Sequence, residues 1–235
     1  MFAIDHATTA LLVKRRYPSV PMTPLLVSVQ AMELAWVGLN YLGIERTTTE
    51  TTVRSVADIH LAYMPYSHSV GTAVGAAVLV WLIIEKGFDR AALGRAIGLG
   101  IVSHLILDLA THGRDIVLWP GWSTPKLGLG LYEAAPFAAF IVEVLYGICC
   151  WHVYRGGPGL FALISLGNLA NLSILSAVIP GPEQYLAGHP MLVVTFIFVQ
   201  IVVTLVLVRV LAHPRTPAST AAGRLPVLRS EMEVR

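Results

Sequence analysis

The chain has 235 residues, 55% of them hydrophobic and 13% charged, and a mean hydropathy of +0.69. That balance excludes an ordinary soluble domain and makes a membrane protein the default expectation. A net charge of +2 with dispersed basic residues argues against a nucleic-acid partner, and Cys149 and Cys150, adjacent in an apolar run, are a poor arrangement for a disulfide framework or a cysteine zinc cluster.

The first segment, AIDHATTALLV, is too short to span a bilayer and is followed by Lys14, Arg15 and Arg16. Because a secretory signal carries its positive charges before the apolar stretch, this N-terminus reads as retained. It is expected to form a short half-membrane helix anchored by the basic cluster. Six apolar windows of roughly spanning length, about 20 residues, follow: Pro24 to Leu42, His68 to Ile84, Ala91 to Thr111, Ala134 to Tyr154, Leu160 to Ile179 and Met191 to Leu211. The segments between them hold turn and breaker residues, as in EKGFDR, WPGWSTPKLGLG, RGGPG and PGPEQYLAGHP. The fold class expected is all-α, a polytopic bundle of about six transmembrane helices in a single domain over 1–212. The tail 213–235, rich in Pro, Ala, Thr and Arg, reads as disordered.

Lys14, Arg15, Arg16, Lys86, Arg90, Arg95, Arg155, Arg209, Arg215, Arg224, Arg229 and Arg235 fall on one side of this topology, against Arg46, Arg54, Arg114 and Lys126 on the other. The positive-inside rule then places the KRR cluster and the tail in the cytoplasm.

The residues that conflict with a lipid environment carry the functional reading. In SHLILDLATHGRD, His104, Asp108 and His112 recur every fourth residue and would line one stripe of a helix, roughly 80° wide at 100° per residue. Glu33 lies inside the first window and His68 opens the second. His6, eight residues from the basic cluster, and Glu33, nine residues into its helix, sit at roughly 12 and 14 Å of helical rise, so a single hairpin could bring them to one depth. His6, Glu33, His68, His104 and Asp108 form the donor set expected for a divalent metal, with His112 or Asp115 positioned to hold a water or move a proton. The plainer alternative is that His104 and Asp108 only pair helices.

Elsewhere, Asp58 and His60 read as supporting partners of that set or as solvated loop residues. Glu133 reads as interfacial, and Glu143 is deep enough to need a partner. Asn168 and Asn171 read as helix–helix contacts, and His152, His189 and His213 as interfacial.

DHATTALLV, VSVQAMELAW, MPYSHSV, SHLILDLATHGRDIVLWP and KLGLGLYEAAP together resemble the predicted membrane-bound metal-dependent hydrolases of bacterial inner membranes, over roughly the first two thirds of the chain. The pattern is also distantly similar to the all-helical zinc phospholipase C group. The resemblance implies that His6, Glu33, His68 (within Ser67-His68-Ser69), His104 and Asp108 match the family's ligand positions. Glutamate at 33 replaces the usual aspartate, and its preceding proline is missing. The element Ala62 to Ser69 lacks the family's first histidine and its arginine.

The expectation is thus a multi-pass protein of the bacterial inner membrane with its site, within 1–115, toward the outer side. It would be a zinc-dependent hydrolase, manganese being the alternative ion, acting on an ester or phosphoester, with membrane lipids as surroundings and a lipid-linked headgroup as substrate. The rival from another class is an ion- or proton-conducting transporter using the same cluster, although the sequence shows no repeat of the kind many transporters carry.

Overall fold

A computed structural model describes residues 1–122, 125–176 and 178–213. The disordered tail expected from 213 onward lies outside the described residues except for His213. The fold is mostly helical. The helices are α1 (Ala3–Arg16), α2 (Met22–Val29), α3 (Ala31–Tyr41), α4 (Val70–Leu82), α5 (Ala91–Thr111), α6 (Leu131–Ala134), α7 (Pro136–Tyr154), α8 (Pro158–Leu169) and α9 (Pro190–Leu211), the longest connections being 42–69, 112–130 and 170–189. Two small antiparallel pairs, β1 (Arg46–Thr49) with β2 (Ile59–Tyr63) and β3 (Ile116–Val117) with β4 (Lys126–Leu127), lie in the connections.

Among the described residues, four helical stretches are long and apolar enough to cross a membrane: Val70–Gly87, Ala91–Thr111, Pro136–Tyr154 and Pro190–Leu211. A fifth is reached only if α2 and α3, bent by 57° at Gln30, count as one span. Six spans are therefore not confirmed, and two of the expected windows differ. Pro24 to Leu42 is broken in the middle. In Leu160 to Ile179 the helix is α8, which ends at Leu169, and the described residues from Ala170 to Leu175 form turns. The amides of Asn168 and Asn171 donate back to the carbonyls of Ile164 and Gly167, a side-chain competition with backbone bonding that is common near helix ends.

α1 is the centre of the bundle. It packs against α2, α5, α7, α8 and α9, and every residue from Ala3 to Leu11 is buried. Ile4, Ala7, Ala10 and Leu11 meet Leu25, Leu26, Leu160, Ile164 and Val208 in the main apolar core. That placement takes Asp5, His6, Thr8 and Thr9 into the interior, where each needs a partner. Asp5 accepts from Asn168 at 3.3 Å, Thr9 bonds Tyr146 at 2.7 Å, and Glu143 accepts from Tyr132 at 2.5 Å. These contacts tie α1, α6, α7 and α8 together.

One close approach sets the geometry of the site. A Cβ on Gly100 would lie 2.1 Å from the Ser28 hydroxyl, so α5 meets the end of α2 only because residue 100 has no side chain. One turn further along α5 stands His104, and beside Ser28 stands Val29.

Candidate metal centre

The break at Gln30 positions two groups at once. It ends α2 early, which leaves the Val29 carbonyl without a helical donor and available to His104 Nδ1 at 2.9 Å. It also starts α3 on a new axis with Glu33 in its first turn. Gln30 holds the bend by donating Nε2–H to the Ala3 carbonyl at 2.9 Å.

A carbonyl only accepts, so His104 Nδ1 carries a proton, and in the neutral ring Nε2 is the lone pair. The same logic applies to His68. Ser67 Oγ lies 2.5 Å from Glu45 Oε2 and 2.8 Å from His68 Nδ1. Glu45 is a buried carboxylate that also accepts from the Tyr66 and Ser67 amides, so the serine hydroxyl gives its single proton to Glu45 and His68 Nδ1–H donates to the serine. His68 Nε2 is then a lone pair as well. Ser69 completes the SHS element as the N-cap of α4, its hydroxyl accepting from the Thr72 amide at 3.1 Å.

Both lone pairs face carboxylates. His104 Nε2 is 3.0 Å from Asp108 Oδ2 and 3.6 Å from Glu33 Oε2, while His68 Nε2 is 3.4 Å from Glu33 Oε2 and 3.7 Å from Asp108 Oδ2. His68, His104 and Asp108 are buried, and His68 Nε2, His104 Nε2 and Asp108 Oδ2 have no hydrogen-bond partner. With both rings neutral, four acceptors turned on one another repel unless positive charge lies among them, either a bound cation or a proton shared between an imidazole and a carboxylate. All four atoms fall within 4.8 Å of one another. A tetrahedral zinc with ligands at about 2.05 Å would place its ligand atoms about 3.3 Å apart, and the four distances above bracket that value. The donor set thus fits a divalent ion.

The remaining expected residues lie around this group. His6 Nε2 approaches Asp108 at the other oxygen, Oδ1, at 3.1 Å, and its ring stacks on His104 with centroids 3.9 Å apart. Its Nδ1 is buried without a partner, which a lone pair tolerates better than an N–H, so Nε2–H donates to Asp108. The Met1 α-ammonium reaches the same oxygen at 2.9 Å and Thr111 Oγ1 at 2.8 Å.

α5 ends at Thr111, two residues before Gly113, and His112 is its extended cap. The His112 ring still turns back, with Nε2 3.8 Å from Asp108 Oδ1 and Nδ1 3.4 Å from Asp115 Oδ2. Burial works against the His112 imidazolium, but the Asp108 charge and the Asp115 contact outweigh it and raise its pKa above the ordinary histidine value.

Glu33, His6, His112 and Asp115 line a cavity of about 330 Å³, which gives the cluster an open side. Asp58 does not face the cluster. Its carboxylate caps the Arg54 and Ser55 amides, and His60 pairs with Glu50 at 2.8 Å on the surface, its strand bordering the cavity. His152, His189 and His213 are exposed. Asn171 accepts from Gln200 at 2.8 Å and links the end of α8 to α9. Glu45, Gln30 and the Val29 carbonyl were not legible as site residues, since each acts through a helix break or a loop with no periodicity.

Comparison with known proteins adds no identity. The chain matches no family model, no curated protein and no solved structure. The site therefore stands on its own geometry.

Proposed function

We propose that this protein is an integral-membrane, divalent-metal-dependent hydrolase whose ion, zinc or alternatively manganese, is held by Glu33, His68, His104 and Asp108. The observation that carries the reading is the convergence of two imidazole Nε2 atoms, each with its Nδ1 held by a hydrogen-bond partner, and two carboxylates at ligand-to-ligand spacing. When bound, such an ion supplies a water acidified toward neutrality and positive charge for an oxygen that gains charge. The chain's own residues do the rest. His6 orients Asp108, Glu45 and Ser67 hold the His68 tautomer, and the His112–Asp115 pair stores and returns a proton at the cavity side of the cluster.

The substrate class this supports is an ester or phosphoester on a lipid or lipid-linked headgroup, because the cavity opens among helices of spanning length. The asymmetry of Lys and Arg supports a bacterial inner-membrane orientation with this end of the bundle outward.

The test is elemental analysis of the detergent-purified protein, wild type beside a His104→Ala/Asp108→Asn variant. Stoichiometric zinc or manganese is expected in the first and absent from the second, followed by metal-dependent turnover of ester and phosphoester substrates. No metal in either chain after incubation with divalent ions overturns the reading.

A second reading, ion or proton conduction, draws on buried Asp5, Glu143 and Asn168, whose Oδ2, Oε2 and Oδ1 atoms lack partners. Flux in proteoliposomes that vanishes on Asp108→Asn would favour it.

A further inference from the structure

The cavity beside the cluster has two chemically distinct ends. On α9, Val193, Phe196, Ile197, Gln200 and Ile201 face it at helical spacing, a stripe that descends about 12 Å along the axis from Val193 to Ile201 at 1.5 Å per residue. Trp36 of α3 and Ile174 complete an apolar wall. That depth is a large fraction of one leaflet of a hydrocarbon core about 30 Å thick. Phe196 is 47% exposed, so the wall is continuous with the outer surface of a span.

The other end is polar. Arg114 lines it in the loop after α5, two residues from His112, and its side chain makes no hydrogen bond or ion pair with another described residue. Asp115 and Glu133 share this mouth, Asp115 being turned to His112 and Glu133 lying against Gly113.

We infer that the cavity binds one hydrocarbon chain ending in a phosphate ester, with the chain against Trp36 and the α9 stripe and the phosphate between Arg114 and the metal group. This rests on reading the cluster as the reacting centre and names its substrate class. The volume admits one chain, since about 330 Å³ is at the lower end of the 300–1,000 Å³ typical of ligand pockets. The charge favours phosphate. A planar guanidinium binds two phosphate oxygens at once, and an anion placed beside it also meets the positive charge of a bound ion.

Trp36, 1% exposed, supplies the readout. Bromododecyl phosphate, bromododecanol and bromododecanoate would be titrated against the full-length, zinc-incubated protein in detergent. The quenching of Trp36 is isolated by subtracting the signal of Trp36→Phe, and inorganic phosphate serves as competitor. The expected result is saturable Trp36 quenching by the phosphate probe at least tenfold tighter than by the alcohol or the carboxylate, with Arg114→Gln abolishing the difference. Equal binding of all three probes, no saturable quenching, or full displacement by inorganic phosphate alone overturns the proposal. Because binding is read without turnover, its failure is separable from that of the hydrolase reading. Metal without probe binding defeats this inference, and probe binding without metal defeats the other.

Discussion

Glu45→Gln tests the tautomer argument more sharply than removal of a ligand. In the native site Glu45 Oε2 only accepts, which drives Ser67 to donate to Glu45 and His68 Nδ1–H to donate to Ser67. A glutamine can keep its carbonyl oxygen on the Tyr66 and Ser67 amides, where Glu45 Oε1 now accepts at 2.8 and 2.9 Å, and turn its NH₂ toward the serine. The relay then reverses. Ser67 donates to His68 Nδ1, the imidazole proton moves to Nε2, and the lone pair facing Glu33 and Asp108 is lost.

Changes of this kind behind a metal-ligating histidine cost about 10- to 100-fold in affinity, or roughly 1.4 to 2.7 kcal/mol. Glu45→Gln should reach the upper part of that range. Ser67→Ala, which removes the partner of Nδ1 without supplying an opposing donor, should stay in the lower part. Zinc competition against a chelating dye in detergent gives the affinities, and ¹⁵N shifts of the imidazoles give the tautomer. Wild-type affinity in Glu45→Gln, or a larger loss in Ser67→Ala, would refute the reasoning.

Further outcomes follow from the same geometry. Gly100→Ala places a methyl against Ser28 and should push α2 from α5, lengthening the Val29–His104 contact; overpacking of this kind costs about 1–3 kcal/mol, read as a lower unfolding midpoint together with weaker zinc binding. Tyr132→Phe removes the donor to buried Glu143 and should destabilise by about 1–3 kcal/mol, while zinc content stays stoichiometric; loss of zinc would mean the two polar groups are coupled. His112→Ala should retain the metal and lower turnover by about 10²- to 10⁴-fold if it moves a proton, and unchanged turnover would remove it from the mechanism. Removal of metal by a chelator should abolish turnover and restoration of zinc or manganese should return it, with activity that survives chelation counting against the hydrolase reading.

Much of the site was legible because a polar residue in an apolar helix is costly and therefore conspicuous. His104 and Asp108 announce themselves by spacing alone, four apart in a run otherwise fit for lipid. Glu33 stands out as a carboxylate in an apolar window, and Glu143 as one that needed the partner it has in Tyr132. Composition likewise pointed to the mostly helical architecture, since hydropathy over 20 residues reports the solvent a segment can tolerate.

The tertiary structure decided what hydropathy does not measure. It made α1 the buried centre of the bundle, because a short helix with an apolar face is sealed by neighbours on all sides. It broke the first window at Gln30 and stopped the fifth at Leu169, since helix ends depend on local hydrogen bonds that an average over a window conceals. It put His6 on the Oδ1 side of Asp108, apart from the four converging ligand atoms. It also recruited Glu45 and the Val29 carbonyl, whose roles arise from contacts 22 to 75 residues away in the chain. A sequence shows which side chains need partners; only the packed chain fixes which atoms meet and therefore which lone pairs remain for a metal.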